Sequence, residues 1–188
     1  MENAPIVITG FMGSGKSTVG RALARRLDSQ MVDLDKEILK QEKRSAKQII
    51  EEDGETAFRE IETRVLCDVL QKNAAGVIAL GGGAWTVARN RELITSAGGT
   101  SVWLDAPFSV CWQRIVAGIV DGREGRPLAR NEPEALGLYT QRRAAYAAAD
   151  LHVEDRGNKT ADELAVEIAI ALAERKRVEV KRDVAPGQ

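Results

Sequence analysis

The sequence predicts an α/β fold, a five-stranded parallel sheet with helices on both faces. Three observations predict it. First, five short β-prone runs, "PIVITG", "QMVDLD", "GVIALGGG", "TSVWLD" and "LHVED", are spread along the 188 residues. Most are followed by helix-forming sequence, the alternation of a parallel sheet buried on both sides. Second, the intervening stretches repeat apolar residues at helical spacing. Third, the first run leads into "GFMGSGKST" at 10–18, a glycine-rich turn between strand and helix that fits G-x-x-x-x-G-K-[ST].

After that turn, Val19, Ala22, Leu23 and Leu27 form the stripe of a first helix. Residues 36–54 are polar with a weak helical pattern ending in "EDGE", and read as an insertion above the sheet. In 55–72, Phe58, Ile61, Val65, Leu66 and Val69 make one apolar face. Residues 118–135, "GIVDGREGRPLARNEPEA", are rich in Gly, Arg and Pro and read as a mobile loop. Ala161, Leu164, Ala165, Ile168, Ala169 and Leu172 mark a last helix. Its end frays into a charged, disordered tail that terminates in "APGQ". The boundaries are a single domain over 1–175 and a tail over 176–188.

The bulk numbers exclude several classes. Hydrophobic residues make up 44% and charged residues 29%, with a formal net charge of −1. That is ordinary globular composition, with no overall positive field for nucleic acid or an anionic membrane. Cys67 and Cys111 are far apart and His152 is the single histidine, which argues against a zinc site. Both cysteines are expected to be buried as small hydrophobes. No apolar run is long enough to span a bilayer or to serve as a signal peptide, so the expected location is cytoplasmic.

Several constellations carry chemistry. In the opening turn from Gly10 to Gly15, the glycines let backbone N–H groups converge on phosphate oxygens, and the following helix adds its positive end. Lys16 can reach the β- and γ-phosphates, and Ser17 can ligate Mg²⁺. In "DLD", a strand over 31–35 would point Asp33 and Asp35 to one side at the carboxyl edge of the sheet, where ligands bind. Asp35 also reads as a helix N-cap, because "DKEILK" looks like a helix start. Arg59 lies on an amphipathic helix, where pairing with a nearby Glu is the usual case. "GGG" at 81–83 invites close approach by a ligand, or is simply a tight turn. Arg123 and Arg126 sit in the arginine-rich loop, suited to closing over a transferring phosphate. Arg142 and Arg143 follow in "YTQRRAAY".

Together these residues resemble the shikimate kinase family, in the nucleoside-monophosphate-kinase-like group of P-loop proteins. The likeness runs in order through "GFMGSGKSTVGRALA", "DLD", "DGETAFREIE", "LGGGA", "RPL" and "RRAAY", over roughly residues 5–170. It implies a P-loop kinase fold with a substrate-binding segment over 36–63 and a lid over 114–131. It also implies ATP and shikimate as substrates, with Mg²⁺. Gly13, Ser14, Gly15, Lys16, Ser17 and Thr18 would hold ATP phosphates, with Ser17 on Mg²⁺ and Asp33 near the ion through water. Asp35 would accept hydrogen bonds from substrate hydroxyls and serve as the base. Arg59 and Arg142 would grip the substrate carboxylate, and Gly82 would approach the ring. Arg126 would be the lid arginine on the ATP phosphates, with Arg123 as the alternative, and Arg114 would lie near the adenine. The stretch from Arg114 to Arg126 is several residues longer than usual for the family, and "RPLA" stands where "RPLL" is commoner. The resemblance names no residue in "EDRGNKTADE". The implied protein is a monomer that binds neither nucleic acid nor membrane. Alternatives are a kinase of another small hydroxy acid such as gluconate, or a non-catalytic nucleotide-binding module. No Asn-Lys-x-Asp stretch for guanine is present.

Overall fold

Five parallel strands form one sheet in the order β2-β3-β1-β4-β5. The computed structural model describes residues 4–72, 76–120 and 131–184. The elements run β1 (Ile6–Thr9), α1 (Lys16–Arg26), β2 (Met31–Asp33), α2 (Leu34–Glu42), α3 (Ala46–Gln71) and β3 (Val77–Ala79). A 3-10 turn (Ala84–Thr86) precedes α4 (Ala88–Ser96), β4 (Thr100–Asp105) and α5 (Phe108–Val120). The chain then continues through α6 (Glu132–Tyr146), β5 (Leu151–Glu154) and α7 (Ala161–Val184).

The strand register pairs Ile6 with Val77 on one side of β1 and with Thr100 on the other. The chain leaves β1 for β2 and β3 on one side, then crosses to β4 and β5 on the other. Strand order therefore reverses around the carboxyl end of β1, the place where open α/β sheets bind ligands.

Side-chain alternation along the strands makes two cores. On one face, Ile8, Val102 and Leu104 pack with Val19 and Leu23 of α1 and Leu164 and Ile168 of α7. On the other, Val7, Ile78 and Trp103 meet Phe58 and Leu66 of α3, Trp85, Ile94 of α4, Ile115 of α5 and Tyr146 of α6. Burying each large side chain is worth roughly 1.5–3 kcal/mol. Leu27, the last member of the α1 stripe, is only the C-cap residue and stays 40% exposed.

The structure corrects five sequence expectations. The strand at 31–35 ends at Asp33, which caps α2 and accepts from Lys36 N at 3.4 Å, so the cap is Asp33 and not Asp35. The segment 36–54 folds as α2 and the first part of α3, started by a Ser45–Gln48 capping box and kinked at Gly54 (φ 89°). The loop expected over 118–135 is helical at both of its ends, and 121–130 lie outside the described residues. Helix α5 runs to Val120, and α6 begins at Glu132, where Asn131 accepts from Glu134 N at 3.0 Å and Pro133 sits in the first turn. Finally, Cys111 is buried as expected but Cys67 is half-exposed, and both thiols are free. Helix α7 continues past residue 175 to Val184, across the expected tail boundary.

Candidate active site

The turn after β1 is shaped by glycine. Gly13 has φ 78°, and a Cβ there would lie 2.5 Å from the Cys111 carbonyl oxygen. Gly15, with φ 98°, is the N-cap of α1 and supplies no side chain to its first turn. That turn also holds no acidic residue, so no carboxylate competes there for the positive end of the helix. Lys16 is buried, and its ammonium donates to the carbonyls of Gly10 at 2.9 Å and Phe11 at 2.8 Å. Ser17 is half-buried and Thr18 exposed at the mouth of the loop. The arrangement places a buried ammonium at the positive end of a helix, features that suit a polyphosphate.

Beside this loop lies a second cleft. Asp35, Arg59, Gly82 and Arg142 all line it, together with Phe58 and with Met12 from the loop itself. Four separate elements bring these residues together. Asp35 comes from the first turn of α2 rather than from a strand, so no strand alternation aligns it with Asp33. Arg59 projects from α3, with its guanidinium 5.2 Å from the Phe58 ring. Gly82 follows β3, and its carbonyl accepts from Arg142 Nη1 at 3.4 Å and from the Tyr146 hydroxyl. Trp85 Nε1 donates to the Ala145 carbonyl at 2.9 Å, which pins the end of α6 and holds Arg142 in the cleft.

Glu62 is the residue that sequence reasoning missed here. It is 1% exposed, and its Oε2 lies 2.7 Å from Arg59 Nη1. Burial lifts its pKa to about 7, against the pull of Arg59. Burial works against the Arg59 charge, yet Glu62 and Glu55 raise its pKa above the ordinary value. The spacing of three between Arg59 and Glu62 on one helix was the available signal. Glycine makes the convergence fit: a Cβ at Gly81 would lie 2.7 Å from Asp35 Oδ1 and 2.9 Å from Glu62 Oε1.

The opposite flank of the loop meets α5. Arg114 Nη1 donates to the carbonyls of Gly13 at 3.5 Å and Ser14 at 3.3 Å, and pairs with Asp155 Oδ2 at 2.9 Å. Asp155, just past the carboxyl end of β5, was also missed, although that edge is where ligand-related carboxylates are sought. Arg143, neighbour of Arg142, turns away from the cleft to clasp Asp105 at 2.9 and 3.0 Å. Arg123 and Arg126 lie outside the described residues. Among the described residues, no group of three or more His, Cys, Asp and Glu gathers to hold a metal ion, and no helix is long and apolar enough to cross a membrane.

Through Met12 the glycine-rich loop borders a cleft lined by two arginines and two carboxylates. The chain matches the shikimate kinase family over residues 12–173. It is 40% identical to a shikimate kinase of Ruegeria pomeroyi, over 92% of this chain and 87% of that protein. It is 42% identical to a shikimate kinase of Geobacter sulfurreducens, over 90% and 91%. Among solved structures, the shikimate kinase from Acinetobacter baumannii in complex with shikimate superposes with a TM-score of 0.83 at 34% identity, covering 93% of this chain and 96% of that one. The ordered motifs, the five-stranded parallel sheet and these likenesses agree that the chain belongs to the shikimate kinase family.

Proposed function

We propose that this chain transfers the γ-phosphoryl group of ATP to the 3-hydroxyl of shikimate, giving shikimate 3-phosphate and ADP on the route to chorismate. The observation that carries the reading is the single cleft in which Asp35, Arg59, Gly82 and Arg142 meet the phosphate-loop residue Met12. Shikimate is a small ring with one carboxylate and three hydroxyls. Arginine forks suit the carboxylate, and the carboxylate of Asp35 suits the diol.

In this reading the γ-phosphoryl group sits over Lys16 and the start of α1, facing the cleft. Asp35 takes the proton of the 3-hydroxyl as that oxygen bonds to phosphorus and the bond to the ADP oxygen breaks. The protein supplies mainly position and charge neutralisation, and Lys16 offsets charge on the transferring group. Mg²⁺ would be held by Ser17 at the helix start and approached by Asp33 at the end of β2, and would neutralise phosphate charge when bound. The lack of a larger acidic cluster among the described residues is compatible with this ion, which keeps several waters and takes few protein ligands. Arg126, or Arg123 in its place, remains the lid arginine of the proposal.

The test is ADP release with shikimate, gluconate and several nucleoside monophosphates as acceptors. Saturable, Mg²⁺-dependent release with shikimate is expected. Release with gluconate but not shikimate would replace this reading with the other hydroxy-acid kinase.

A further inference from the structure

We propose that Asp155 is a positioning residue for the nucleotide: by fixing Arg114 against the phosphate loop, it builds the wall that receives the nucleoside end of ATP. The proposal rests on the kinase reading of the loop and adds to it a residue on the side away from the acid cleft.

The two flanks of the loop differ. Met12 borders the acid cleft, which lies on the β3 side of β1 with Gly81 to Gly83. Gly13 and Ser14 face α5, on the side of β4 and β5. A nucleotide whose terminal phosphate points into the acid cleft must run its nucleoside toward that second flank. Arg114 supplies a cation against the loop on that flank, and its side chain is 37% exposed, enough for a ligand to touch it.

Asp155 itself is 1% exposed and cannot meet a ligand. Both of its oxygens are used. Oδ2 holds Arg114 Nη1 at 2.9 Å, and Oδ1 accepts from Gly157 N at 2.8 Å. Its backbone N–H donates to the Asp105 carbonyl at 2.8 Å, which anchors it to the end of β4. The turn it closes lies hard against α5: Gly157 has φ 84°, and a Cβ there would be 2.9 Å from Val110 Cγ2. One buried carboxylate thus ties together the phosphate loop, α5 and the turn after β5. A buried ion pair is a poor source of stability, because desolvation offsets most of its attraction. What this pair supplies is direction: a single fixed orientation for a half-exposed guanidinium beside the phosphates.

The experiment compares binding of ADP and of inorganic tripolyphosphate, which has no nucleoside, by calorimetry without acceptor. Asp155→Asn keeps an acceptor for Gly157 N and removes the charge facing Arg114. It is expected to weaken ADP about tenfold, the scale of a lost charge-assisted contact, and tripolyphosphate by less than about twofold. Asp155→Asn combined with Arg114→Gln, which leaves no buried charge unpaired, should bind ADP no more weakly than Arg114→Gln alone. Equal loss for both probes would mean that Asp155 only maintains the loop, and would overturn the proposal. Unchanged ADP affinity, or additive losses in the double variant, would overturn it too. If Asp155→Asn does not fold, the double variant against Arg114→Gln decides by the same criterion. Wild-type protein that fails to bind ADP at all would instead defeat the kinase reading, and this inference with it.

Discussion

Arg59 Nη1 and Glu62 Oε2 meet at 2.7 Å, one turn apart on α3, and the carboxylate of the pair is sealed from solvent at the back of the acid cleft. The cation faces the cleft with its carboxylate behind it. Burial holds the Glu62 pKa at about 7, above the 4.5 of an exposed glutamate. Between these two values the folded protein binds a proton that the unfolded chain does not. Stability contributed by this site is therefore highest below about pH 4.5 and falls as pH rises through about 7. Glu62→Gln removes the titration. The variant should gain stability relative to wild type as pH goes from 5 to 8, read as the difference in Tm at each pH. A difference that is flat with pH would contradict the assignment.

Arg59→Ala should raise the KM for shikimate by roughly 30-fold or more, the scale of a lost charge-assisted hydrogen bond, while the KM for ATP changes little. The fold should survive, because Glu62, deprived of its partner, can take up a proton. Steady-state kinetics with each substrate varied in turn gives the answer. Equal effects on both KM values would remove Arg59 from acid binding.

Gly83 tests the packing behind the same arginine. Its φ of −109° would admit alanine without backbone strain. An added Cβ would nevertheless lie 2.7 Å from Arg59 Cζ and force the guanidinium aside. Gly83→Ala should raise the shikimate KM by about tenfold with near-normal ATP binding, since only the direction of one charged donor is altered. A variant with wild-type shikimate KM would show that Arg59 has room to shift without loss.

Lys16→Met keeps the apolar stem of a buried side chain and removes its charge. Because transferring a phosphoryl group depends on charge neutralisation, kcat should fall by at least about 100-fold. The melting temperature, followed by circular dichroism, should move far less than the activity. Activity within a few-fold of wild type would mean that the loop carbonyls of Gly10 and Phe11 are the true business of Lys16.

Much of the fold was legible because parallel strands write themselves as short apolar runs. "TSVWLD" matches β4 residue for residue. The helical stripe of Phe58, Val65, Leu66 and Val69 is buried as its period requires. The weak pattern of 36–54 hid two helices, because one is short and the other is broken at Gly54. Asn131 and Pro133 did announce the start of α6, but the surrounding Gly and Arg masked the signal.

The sequence by itself determined the chemistry on offer: a phosphate loop, an aspartate after β2, arginines on two helices and a glycine edge after β3. These are local facts, set by residue type and spacing along one element. Only the tertiary structure decided which of them share a cleft. Arg142 faces Gly82 while its neighbour Arg143 turns to Asp105, because successive residues on a helix point about 100° apart and packing selects the one that faces the site. Glu62 and Asp155 gained their importance in the same way. Each is an unremarkable acid in the chain, and each becomes the buried counter-ion of a site arginine only when helices and strand ends close around it, where low solvent access strengthens the pairing and fixes its direction.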